Sequence, residues 1–71
     1  MANIAWLEQQ LDKMQDGLAN GKTRRRKVSS VKAMGISEKA LKASAHARGV
    51  RVAQIGDDYL FAAANYTIRP L

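Results

Sequence analysis

"GISEKALKASAHARGV", residues 35 to 50, decides how this chain is read. Gly35 supplies a turn, Ser37 can cap a helix, and the alanine, leucine and lysine of "SEKALKASAHAR" predict a helix reaching about Arg48. Gly49 stands just past its end, where a left-handed residue is usual. Helical periodicity turns Ile36, Ala40, Leu41, Ala45 and part of the Arg48 stem inward. Ser37, Glu38, Lys39, Lys42, Ala43 and His46 are left on the outer side.

Downstream, "VRVAQI" and "YLFAA" read as strands, and "GDD" between them is a tight-turn signal, so residues 50 to 63 are expected to form a hairpin. "NYTIRPL" then adds a short third strand or runs along the surface, Pro70 limiting any central place in a sheet. Upstream, "KTRRRK" runs without Gly or Pro into "VSSVKAM". Thr23 is a good N-cap, which predicts a helix from about Arg24 to Met34 ended by Gly35. Arginines in a first helical turn oppose the helix dipole, so a sequence that accepts them is expected to use their charge, most simply on phosphate.

At the N-terminus Ile4, Leu7, Leu11, Met14 and Leu18 are spaced three, four, three, four, the pattern of an amphipathic helix, and "ANG" at 19 to 21 ends it. The stripe either packs on its own domain or forms a homodimer seam, and its spacing fits both. Trp6 lies off the stripe as a packing residue or a part of the same interface. The organisation read here is an amphipathic helix over residues 1 to 20, a candidate dimerisation element, followed by a basic unit over 21 to 71. The element order is helix, helix, helix, hairpin, which makes the fold class mainly α with a small β-hairpin (α+β).

A chain of 71 residues has room for one small core and little for an enclosed active-site cleft. Without cysteine it has neither disulfides nor a thiolate metal site, so stability comes from packing or from a second copy. No apolar run approaches a membrane span, and "MANIAWLEQQ" lacks the form of a signal peptide, so the expected location is cytoplasmic. The net charge of +6 is unevenly placed: residues 1 to 20 carry −2, residues 21 to 52 carry +9 and residues 53 to 71 carry −1. A cationic block of this kind is the footprint of a surface facing a polyanion.

"KVSSVKAMGISEKALKASA" resembles a helix-turn-helix: Val28 and Val31 apolar in the first helix, Met34 before the turn, Gly35 at it, Ile36 after it and Leu41 inside the second helix. With the hairpin that follows, residues 27 to 61 look most like the small winged helix-turn-helix DNA-binding modules of phage and plasmid proteins. Ser44 and Arg48 depart from that pattern, which usually has apolar residues in their places. The resemblance implies a helix set against DNA, and the chemistry agrees. Small residues between long polar ones suit a major groove about 12 Å wide. Lys39 and Lys42 can reach guanine edges or phosphates, Ala43 a thymine methyl, and Ser37 a phosphate at the helix N-terminus. Lys22, Arg24, Arg25, Arg26, Lys27 and Arg51 then supply phosphate contacts, which add affinity without sequence information, and His46 a further contact.

Double-stranded DNA is therefore the expected partner, bound by a homodimer or higher oligomer that represses, silences or organises what it covers, in association with a nucleoid. The competing reading is a small phage-type inhibitor or adaptor whose basic face meets an acidic host protein. RNA is a third partner class, without a clear aromatic stacking motif to support it.

An enzyme is not expected, and neither a cofactor nor a metal is implied. His46 is the one histidine and has no carboxylate cluster beside it in sequence. Asp57 and Asp58, being adjacent, suit a turn better than a catalytic pair. Glu38 suits the helix N-terminus, although it can also accept from a cytosine amine. Tyr59 and Phe61 share one strand face and read as core. "GKT" at 21 to 23 follows a helix instead of a strand, unlike a phosphate-binding loop.

Overall fold

In the computed structural model, which describes residues 2 to 65, Asn3 caps the first helix, α1 (Ile4–Ala19). Its side-chain oxygen accepts from the Trp6 backbone N–H at 3.0 Å, and its own N–H donates to the Met34 carbonyl at 2.9 Å, so the start of α1 is tied to a turn thirty residues on. The chain continues as β1 (Arg24–Lys27), α2 (Val28–Ala33), α3 (Glu38–Ala47), β2 (Val50–Ile55) and β3 (Asp58–Ala63). The three strands form one antiparallel sheet in the order β1-β3-β2. The result is a small α+β domain with helices packed on a three-stranded antiparallel sheet.

The hairpin forms as expected over residues 50 to 63, with Asp58 starting β3 opposite Ile55 and Gly56 and Asp57 making the turn. Residues 66 to 71, to which most of the anticipated third strand or tail belongs, lie outside the described residues.

The expected helix from Arg24 to Met34 is corrected: its first four residues are a strand and only Val28–Ala33 is helical. Thr23 is not the cap. Lys27 holds that position in an extended conformation, without a side-chain cap bond, and the Val28 N–H is satisfied by the Asp57 carbonyl at 2.8 Å. The reason is tertiary. β3 already spends one edge on β2, and its other edge needs backbone partners, which Arg24 to Lys27 supply opposite Phe61 to Asp58. In a strand the arginines meet no helix dipole, so the penalty expected of them does not arise.

Gly35 ends α2 at φ +72°. Its N–H donates to the Lys32 carbonyl at 2.9 Å and that of Ile36 to Val31 at 3.4 Å, while the buried Ile36 and Val31 side chains join one core. This pair of hydrogen bonds plus the apolar contact is a Schellman ending, and it sets the angle at which α3 leaves the turn.

The apolar stripe of α1 builds the interior of its own chain. Leu7, Leu11, Met14 and Leu18 are at most 2% exposed and cluster with Val31, Ile36, Leu41, Ala45, Val50, Tyr59 and Phe61. The dimer seam proposed on Ile4, Leu7, Leu11, Met14 and Leu18 is therefore corrected: four of the five side chains have no surface to offer, and only Ile4 is exposed. Burying each large side chain contributes about 1.5 to 3 kcal/mol, and a chain this short needs the stripe inside. Residues 1 to 20 thus share one core with the rest. Trp6 is half-buried against it.

Candidate nucleic-acid interface

α3 is placed by its two ends and its inner face. Ser37 caps it, Oγ accepting from the Ala40 N–H at 3.2 Å, and Gly49 leaves it at φ +69°. Leu41 and Ala45 are fully buried and Ala40 is half-buried, which anchors one side. Arg48 sits half-buried at the C-terminal end and pairs with the exposed Asp12 of α1.

The opposite side is exposed throughout: Ser37, Glu38, Lys39, Lys42, Ala43 and His46. Lys39, Lys42 and His46 follow one another at three and four residues and so form a stripe. Glu38 is the one carboxylate on this side, and it lies 3.4 Å from the Lys42 ammonium. Both side chains are about half exposed, so the pair is weak and exchangeable.

β2 runs beside α3 and leaves an open groove of about 450 Å³ between them, lined by Lys42, Ala43, His46, Val50, Arg51 and Val52. Four residues expected to bind DNA, Lys42, Ala43, His46 and Arg51, are brought together there across up to nine positions of sequence. Lys39 continues the same helix face toward the N-terminal end of α3.

The basic run is divided by the strand it forms. Alternation sends Arg24 and Arg26, opposite Phe61 and Tyr59, to the helix side of the sheet, and Arg25 and Lys27, opposite Leu60 and Asp58, to the other. Arg26 is half-buried and its Nε donates to Oε1 of Gln10 on α1 at 3.2 Å. Arg24 is also half-buried, with its guanidinium packed where a side chain on Gly17 would be. These two are corrected from phosphate clamps to packing residues, because their long stems cover the flank of α1. Arg25 is exposed and stands 3.6 Å from Asp58, and Lys22 is exposed beyond the end of α1.

Lys27 instead joins Ser29 and Lys32, two residues the sequence did not single out. It lines a second groove of about 440 Å³ with Val28, Ser29, Lys32 and Asp57, where α2 begins beside the hairpin turn. Ser29 and Lys32 are exposed and one helical turn apart. Their spacing was visible in the sequence, but the proximity of Lys27 and Asp57 depends on the sheet.

The other candidates keep ordinary roles. Tyr59 and Phe61 are buried, Asp57 forms the turn, and Gly21 to Thr23 connect α1 to β1. Among the described residues there is no helix long and apolar enough to cross a membrane and no group of His, Cys, Asp or Glu able to hold a metal ion. No protein-family model, curated protein or solved structure matches this chain.

Proposed function

We propose that this chain is a winged helix-turn-helix DNA-binding protein that lays α3 in the major groove of a duplex. The observation that carries the reading is the division of α3 itself: Leu41 and Ala45 are buried, and Lys39, Lys42 and His46 stand exposed on the far side with small Ala43 among them. A helix held rigidly from behind, with its cations outward, loses little freedom on binding. α2, the Gly35 turn, α3 and the following hairpin have the order of the family this sequence resembles.

Arg51 on the groove wall and Lys27, Ser29 and Lys32 beside α2 are the phosphate contacts of this reading, in place of Arg24 and Arg26. The hairpin tip makes no phosphate contact in this reading. It carries Asp57, with Asp58 next to it, and a carboxylate is repelled by phosphate. Contact therefore centres on α3 and β2, and the protein acts by occupying DNA as a repressor, silencer or organiser.

Fluorescence anisotropy on a labelled mixed-sequence duplex, titrated from low to moderate salt, tests this. Lys39→Ala with Lys42→Ala should weaken binding and flatten the plot of log affinity against log salt by about two phosphate contacts, roughly 0.9 in slope for each. Unchanged affinity and slope in a folded double variant would refute the placement.

A further inference from the structure

The groove between α3 and β2 has a second property that duplex binding leaves unused. β2 is an edge strand of the described sheet. The Ala64 N–H donates to the Gly49 carbonyl, so the alternation of an antiparallel ladder puts the main-chain groups of Arg51, Ala53 and Ile55 toward β3. Those of Val52 and Gln54 face the edge that no described strand covers.

The two edges of the sheet differ in how they resist another strand. β1 is four consecutive cations, a usual protection. β2 is six residues in unbroken register with β3, without proline or bulge, and Arg51 is its one charged residue. It is a ready template for strand addition, with a helix standing beside it to hold the side chains of whatever adds.

We propose that this groove takes an extended acidic peptide, which adds to β2 as a fourth strand. Two independent demands select that class of ligand. Val52 and Gln54 offer donors and acceptors at strand spacing, which a peptide backbone matches and a sugar-phosphate backbone does not. Lys42, on the α3 wall beside the His46 imidazole, asks for negative side chains above a floor of Val50 and Val52. Ala43 keeps that wall low enough for a strand to lie against it. The partner is thus a protein with an acidic segment free to extend. Because Lys42 and His46 belong also to the proposed DNA face, the segment and the duplex exclude each other; this consequence rests on the DNA reading, while strand addition does not.

The test uses the full ¹⁵N-labelled chain and an acetylated, amidated heptapeptide alternating glutamate with valine. Saturating peptide should slow amide exchange at Val52 and Gln54 by about tenfold or more and shift the resonances of Lys42 to His46. The same peptide N-methylated at alternate backbone amides keeps its charge and should bind about tenfold more weakly. Equal binding of both peptides, or unchanged exchange along β2, would overturn the proposal by reducing the contact to charge. Protection of β2 that rises with protein concentration in the absence of peptide would overturn it in favour of a second copy as occupant. Duplex binding without peptide protection leaves the groove to nucleic acid and removes the proposal. Peptide protection in a chain that binds no duplex supports strand addition and removes the DNA reading instead.

Discussion

The Lys42 ammonium stands 3.4 Å from the Glu38 carboxylate, one helical turn back along the exposed side of α3. Lys42 therefore carries its own counter-charge on the exposed side of α3. Glu38 also lies in the first turn of α3, where a negative charge suits the helix dipole. Stability and anion affinity pull in opposite directions at this one residue.

Glu38→Gln separates the two. The variant should bind duplex DNA about two- to fivefold more tightly at low salt, the gain fading as salt screens exposed charge. It should lose about 0.3 to 1 kcal/mol of stability. Anisotropy across a salt series, paired with urea melts, measures both, and weaker binding at every salt would place Glu38 in contact with a base.

Arg26 and Lys27 are neighbours in different surroundings, Arg26 half-buried and Lys27 exposed. Arg26→Ala removes the bond to Gln10 and the apolar cover of α1, and should cost about 1 kcal/mol of stability while the folded fraction keeps its duplex affinity within about twofold. Lys27→Ala should leave the melt nearly unchanged and reduce the salt slope by about one phosphate contact. Reversed outcomes would mean that the strand does not divide the basic run as described.

Leu7→Asp with Leu11→Asp should yield a chain without a folded circular-dichroism signature at room temperature, because both side chains are fully buried and an unpaired buried charge costs several kcal/mol. Light scattering on the unaltered protein provides the comparison. A double variant that stays folded and only becomes smaller would restore the dimer seam.

Gly17 lies in α1 with the tip of Arg24 at 2.6 Å from where a Cβ would be. That tip is the far end of a flexible side chain and can move. Gly17→Ala should therefore keep part of the helix-propensity gain of about 1 kcal/mol, and keep more of it in an Arg24→Ala background. A double-mutant cycle by thermal melting reads the coupling, and additive effects would show that Arg24 does not pack there.

Gly49 has open space around it yet holds φ +69°. Gly49→Ala should destabilise by about 1 kcal/mol through backbone strain alone, without loss of packing. A melt unchanged within error would mean that the α3–β2 connection relaxes to another path.

Much of α3 was legible because its determinants are local. Ser37, the alternation of Leu41 and Ala45 with Lys39, Lys42 and His46, and Gly49 each act within a turn or two of the chain, so spacing named the exposed side correctly. The hairpin was legible for the same reason, through the turn at Gly56 and Asp57. "RRRK" was not. It has no apolar periodicity, and a run of cations is compatible with helix, strand or linker until a neighbouring strand claims its backbone.

The dividing line is the range of the interactions. Amphipathic spacing, caps and turns determined that the chain would have three helices and a hairpin, that the Leu7 stripe would be apolar, and that Lys42 would face away from Leu41. Only tertiary structure decided that β1 exists, that the Leu7 stripe fills this core instead of meeting a partner, and that Arg24 and Arg26 lie on α1. Those outcomes depend on which distant backbone needs hydrogen bonds and which surface needs cover, and residue spacing does not encode either.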